Sequence, residues 1–269
     1  MKPPLFFTGS LPFTDAHRAL QFVKEFGSTL PFLPQLPRAN PKETMAAQVI
    51  RGMQVGEWNN EISCCFSSFL SEFQKVDRFK IQMAGPFTTA WFSSKTYAAT
   101  EATWNKMWDG VRKQIDRSGF KGEIWLQIDE PIWSIPRPLP VAYPAFLESL
   151  VRDPRVRIGL HCCSSERPLP DRNWMDKVSF FSFDYLRTHM TPEEKLLWRP
   201  WLGKDRILAI GIIDRIRGPQ WKQTFESIPD DGSVWMSPSC GLFEWSDEDI
   251  ERLTKSGYSV REMKKSRES

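Results

Sequence analysis

Arg157-Ile158-Gly159-Leu160-His161-Cys162-Cys163-Ser164-Ser165 is a short apolar run that ends abruptly in a His-x-Cys pair. The run reads as a buried strand, and the pair stands where that strand leaves the core. Neutral imidazole and thiolate are the two ligand types best suited to zinc. Two donors do not make a site, so the rest of the chain must supply more. Ser233-Val234-Trp235-Met236 is another short run, and it leads to Cys240. Phe180-Phe181-Ser182-Phe183 ends at Asp184. Three apolar runs therefore each finish in a potential metal ligand.

Outward from this stretch, the chain alternates short strands with helical segments. Strands are expected at Leu5–Thr8, Leu30–Leu33, Phe79–Ala84, Ile124–Ile128, Val156–Leu160, Val178–Phe183, Arg206–Ile213 and Val234–Met236. Helices are expected from an Asp15 cap to Glu25, over Pro41–Met53 and Glu61–Val76, and from Ser94 to Arg117. Others are expected over Tyr143–Arg152, near Trp174, over Glu193–Trp198 and Pro219–Ile228, and over Asp247–Lys255 with Ser246 as cap. Continuous apolar strands alternating with helices imply a parallel sheet, and eight such units imply a (β/α)8 TIM barrel. The α/β barrel is expected to fill residues 1–260 as one domain, with 261–269 a basic flexible tail. An open doubly wound sheet is the alternative, but it would not bring strands five and eight together, and no Gly-x-Gly-x-x-Gly fingerprint is present.

Composition narrows the function. The chain has 269 residues, 41% of them apolar, with 19 Phe and 12 Trp, ample for a core. A net charge of +3 implies no nucleic-acid partner. No apolar run approaches the roughly 18 residues of a membrane span, and Pro3 and Pro4 make a poor signal peptide. The five cysteines are odd in number and include two vicinal pairs, Cys64–Cys65 and Cys162–Cys163. That argues against a disulfide framework and for a cytoplasmic setting. Ser10, Asp129, Glu130, His161, Cys163, Asp184, Asp214 and Cys240 all fall just after an expected strand. In a barrel those ends meet on one face.

These strand-end segments resemble the C-terminal catalytic barrel of cobalamin-independent methionine synthase, and most of all its short stand-alone relatives. Thr8-Gly9-Ser10-Leu11-Pro12 is similar to the family's first-strand motif, which contacts homocysteine. Gly85-Pro86-Phe87-Thr88 is similar to its Gly-Pro-x-Thr turn, and Gly211-Ile212-Ile213-Asp214 to its seventh-strand motif. Gln127-Ile128-Asp129-Glu130-Pro131 resembles its Asp-Glu-Pro segment, whose Asp holds the substrate amino group. His161-x-Cys163 and Pro238-x-Cys240-Gly241-Leu242 resemble its zinc-ligand motifs.

The resemblance implies a zinc-dependent methyltransferase that methylates the thiol of homocysteine to form methionine. His161, Cys163, Asp184 and Cys240 would hold Zn2+, with Asp184 standing where the family has Glu. Gly9, Ser10, Asp129 and Glu130 would bind substrate, and Asp129 and Asp214 would be the catalytic carboxylates. Ile216 occupies the region of the family's proton-donor His, and the N-terminal half that holds polyglutamylated folate is missing from this sequence. Both point to a methylated corrinoid protein as methyl donor.

Blander readings stand beside these. Cys162 should point away from its neighbours into the core, and Cys64 and Cys65 are expected to be core residues. Asp129 and Glu130 could form a rim ion pair, and Ser10 a local turn. His17 and His189 are expected on the surface. Two other functions compete: a metal-free enzyme of the related uroporphyrinogen decarboxylase type, which would need Arg residues at the mouth, and a barrel that has lost catalysis and serves as a binding module.

Overall fold

The computed structural model describes residues 4–27, 29–44, 47–48, 62–134, 140–163, 176–185, 201–202, 205–215, 218–219 and 233–255. The expected helices near Trp174 and over Glu193–Trp198, together with His189, Ile216 and the 261–269 tail, lie outside these residues, as does most of Pro41–Met53.

One parallel sheet carries the fold. Its strands follow chain order around a curl: β1 (Arg78–Ala84), β2 (Glu123–Asp129), β3 (Val156–Cys162), β4 (Phe180–Phe183) and β5 (Ile207–Asp214). A two-residue strand, β6 (Gly218–Pro219), turns back antiparallel on β5, and β7 (Val234–Pro238) pairs with β5 in parallel. Gly218–Pro219 as strand means that the helix expected from Pro219 does not begin there. β3 runs two residues further than expected, so His161 and Cys162 belong to the strand itself.

Among the described residues, six regular parallel strands, rather than the eight expected, make up the curled sheet. The first and second expected strands are extended segments held by single bridges. Leu5 pairs with Met236 of β7, Ser10 pairs with Gln35, and Phe32 pairs with Lys80 of β1, all in parallel. Prolines explain why no longer ladder forms. Pro4, Pro31 and Pro34 have no N–H to donate, and Pro4 and Pro31 take part through their carbonyls, which accept from Met236 and Lys80. Gly9, at φ +126, also breaks the extended geometry.

Helices alternate with the strands. α1 (Ala16–Phe26) is capped by Asp15, whose carboxylate accepts from the His17 and Arg18 N–H groups. α2 (Phe66–Glu72) is shorter than the expected Glu61–Val76 helix. The helix expected from Ser94 to Arg117 is present as α4 (Tyr97–Arg117), and a further helix that was not expected, α3 (Pro86–Ser93), precedes it. Pro86 is well suited to a first helical position, and Ser94 at φ 54 breaks the chain before Thr96 caps α4. α5 (Tyr143–Leu150) precedes β3, and α6 (Asp247–Leu253) carries a full capping box from Ser246 and Asp249. Among the described residues no helix is long and apolar enough to cross a membrane.

The two-residue period of the strands sorts their side chains into two environments. Phe79, Ile81, Met83, Ile124, Leu126, Ile128, Ile158, Leu160 and Cys162 belong to the main core shared with the helices. The alternate positions face inward. At the beginnings of the strands these are Phe6, Trp125, Phe180, Ile207, Ala209 and Trp235, a separate apolar cluster. Its rings stack closely, with Trp125 and Phe180 centroids 5.2 Å apart. Further along, the inward positions become polar: Lys80, Gln82, Gln127, Ser182 and Ser237 are all buried. At the strand ends come Asp129, His161 and Asp184.

Candidate metal centre

His161 sits near the end of β3, in register with Asp129 on β2 and Ser182 on β4. Its ring is buried, and Nδ1 lies 3.1 Å from Ser182 Oγ. Nε2 is buried without a hydrogen-bond partner. One step further along the same face is Cys163, while Cys162 between them packs into the outer core as expected. Cys240 arrives from the loop after β7. The ligand atoms of His161, Cys163 and Cys240 all lie within 4.8 Å of one another. Strand ends far apart in sequence therefore meet as a donor set of one imidazole and two sulfurs.

The electrostatics of the trio are those of groups sharing too few protons. The Cys163 thiol against Cys240 is held well above the usual thiol range, and the same contact holds Cys240 well below it. Burial opposes a charge on His161, but the Cys240 sulfur and the Asp129 carboxylate outweigh it and raise the imidazole pKa. A divalent cation fits this arrangement: it would take the place of the shared proton and give the orphaned Nε2 a partner. Ser182, on Nδ1, would fix the ring orientation.

Asp129 is held by Gln127, whose Nε2 donates to Oδ1 at 2.7 Å. Burial raises its pKa, against the pull of His161, Gln127 and Lys80. Glu130, next in the chain, has a different task. Its carboxylate accepts from Phe87 N–H at 3.1 Å, Thr88 N–H at 2.6 Å and Tyr143 O–H at 3.0 Å. It closes the start of α3, and burial pushes it up to about 7. Gly85 makes room: a Cβ there would stand 2.1 Å from the Glu130 carboxyl carbon.

The remaining expected residues lie at or near strand ends but are not part of the trio. Asp184 is buried at the end of β4 but is not in the donor set. Its backbone presses on β5, where a Cβ on Gly211 would lie 3.0 Å from Asp184 Cα and 2.8 Å from Ser239 Cα. Asp214 is half-buried at the end of β5, opposite Gly218. Ser10 touches the Cys240 loop directly: its carbonyl accepts from Leu242 N–H at 2.7 Å, and a Cβ on Gly241 would stand 2.7 Å from its own Cβ. Gly9 has no room for a side chain, because the Gln82 amide would lie 2.0 Å from its Cβ. Cys65 is buried as expected, whereas Cys64 is exposed, with its N–H donating to the buried Glu43 carboxylate. His17 is exposed on α1.

Sequence reasoning missed Lys80, Gln82, Gln127 and Ser182. The available signal was a polar residue at every second position of an otherwise apolar strand, as in Phe79-Lys80-Ile81-Gln82-Met83. Lys80 is wholly buried, and burial lowers it to about 7 while Asp129 pulls it upward.

No protein-family profile matches the chain, and no curated protein sequence matches it. Among solved structures, the chain is similar to a methyltransferase from Methanosarcina mazei, at 15% identity and a TM-score of 0.41. That similarity covers 71% of this chain and 63% of the length of the other.

Proposed function

We propose that this protein is a zinc-dependent methyltransferase that transfers a methyl group to the thiol of homocysteine, forming methionine. The observation that carries the reading is the buried His161 imidazole, one nitrogen of which shares a 4.8 Å cluster with the sulfurs of Cys163 and Cys240. Three protein ligands with a further position open to substrate are what a catalytic zinc site requires. When bound, zinc would deprotonate a coordinated thiol and keep its sulfur nucleophilic at neutral pH.

The chain's own residues do the rest. His161, Cys163 and Cys240 hold the metal, and Ser182 orients the imidazole. Asp184, buried at the end of β4 and outside the three-residue donor set, would be at most a weaker ligand that yields to substrate. Asp129 receives the substrate ammonium next to His161. Glu130 holds the Asp129 loop by pinning α3, and its N–H donates to the His161 carbonyl at 2.8 Å. Ser10, which packs against Gly241 beside Cys240, and its neighbour Gly9 would line the substrate side, and Asp214 would act from the end of β5.

The donor is a methylated corrinoid, free or on a carrier protein. Methyl transfer from an N-methyl folate leaves an amine that must be protonated as it departs. Ile216, where a proton donor would stand, carries no transferable proton. Transfer from methylcobalamin breaks the carbon–cobalt bond and leaves its electron pair on cob(I)alamin, which needs no proton.

Metal analysis by mass spectrometry, after purification without chelator and after zinc reconstitution, should find about one zinc per chain. Cys163→Ala and Cys240→Ala should lose it. A wild-type protein that never retains zinc near stoichiometry would sink the proposal. Methionine formation from methylcobalamin should then far outpace that from methyltetrahydrofolate. Equal rates would overturn the choice of donor while leaving the metal site intact.

A further inference from the structure

Lys80 lies in the middle of β1 with no exposure to solvent. Its Nζ donates to the Thr8 carbonyl at 3.0 Å, to Gln82 Oε1 at 3.1 Å and to Gln127 Oε1 at 3.1 Å. Below it, the Phe6 ring centroid is 5.2 Å away. Three oxygens for three ammonium hydrogens is full saturation, and an ammonium can only donate. Both glutamine amides must therefore turn their oxygens to Lys80.

That constraint propagates. With its oxygen committed, Gln127 must point its NH2 the other way, and there it donates to Asp129 Oδ1 at 2.7 Å. Gln82 likewise donates to the Leu33 carbonyl at 2.9 Å. A glutamine amide is nearly symmetric in shape, so packing alone does not decide which end faces Asp129. The protonated Lys80, donating through all three hydrogens, decides it, and polarises Gln127 into a stronger donor. Gly9 completes the arrangement, since a side chain there would occupy the place of the Gln82 amide.

We propose that Lys80 is a positioning residue that acts through Gln127 to hold the Asp129 carboxylate ready for the substrate ammonium. This rests on Asp129 as the amine-binding group of the proposed methyltransferase.

The test measures binding of homocysteine, and of 4-mercaptobutyrate, which has the same length but no amine, to zinc-loaded protein by calorimetry. Lys80→Met should weaken homocysteine about tenfold, the effect of one charge-assisted hydrogen bond, and leave mercaptobutyrate within about twofold. In an Asp129→Asn background the Lys80→Met effect should vanish. Gln127→Met should reproduce the selective loss, and it carries the test if Lys80→Met does not fold, because Lys80 then keeps two of its three acceptors. Equal losses for both ligands, or a Lys80 effect that adds to Asp129→Asn, would reduce Lys80 to a structural residue and overturn the proposal. An Asp129→Asn protein that does not discriminate the two thiols would instead refute the amine-binding reading, and the proposal with it.

Discussion

Single side chains decide whether the site can hold anything. His161 offers Nε2 only because Ser182 occupies Nδ1. Ser182→Ala is expected to weaken metal affinity by about 10- to 100-fold while leaving the three ligands in place. Competition against a chromogenic chelator measures this, and unchanged affinity would show that packing alone orients the ring. Glu130 makes a prediction in pH. Its folded pKa of about 7 exceeds its ordinary value of 4.5. Between those values the folded chain keeps a proton that the unfolded chain has lost. Its contribution is full below about pH 4.5 and disappears as pH rises through about 7. Glu130→Gln, which imitates the neutral form, should flatten that interval by on the order of 3 kcal/mol at most. Denaturant unfolding at about pH 5 and about pH 8 should show a smaller difference in the variant than in the wild type. The three members of the candidate donor set were legible in the sequence, because His161, Cys163 and Cys240 each follow an apolar run. Glu130 was not legible as the clasp of α3, because its partners are backbone N–H groups some forty residues earlier, which no local pattern records.

At the scale of elements, the strands place the site through their register. Gly159 is the example. A Cβ there would stand 2.0 Å from the Phe180 ring, so glycine lets β4 lie against β3 with Phe180 turned inward. The same register then sets Ser182 opposite His161. Gly159→Ala is expected to cost about 1–3 kcal/mol from overpacking. It should also loosen metal binding, because β3 and β4 can relieve the clash only by shifting against each other. Thermal unfolding and metal titration check both, and a variant with wild-type values in each would contradict the account. Six of the expected strands could be read from sequence because each is a mostly apolar run flanked by turn residues. Leu5–Thr8 and Leu30–Leu33 looked alike in composition, but prolines around both limit them to single bridges. α3 was missed because Gly85-Pro86 reads as a turn, although Pro is also well suited to a first helical position.

Across the whole molecule, the donor set joins the end of β3 to the loop after β7. A metal that binds only this folded arrangement stabilises it by mass action, by about 4 kcal/mol at a thousandfold excess over its dissociation constant. Chelation is therefore expected to lower the unfolding temperature and readdition of zinc to restore it, while Cys240→Ala should unfold at one temperature with or without metal. Differential scanning calorimetry distinguishes these outcomes. The packed rings of Phe6, Trp125, Phe180 and Trp235 under the polar layer bear on traffic. They fill the strand-start side, so in the proposed reaction both substrates would approach from the strand ends. The small thiol would then be seated before a bulky methyl donor, and methionine would depart after the spent donor had withdrawn. Initial-rate measurements should give intersecting lines of a compulsory order, with methionine competing against the thiol; parallel lines would mean that the shared approach imposes no queue.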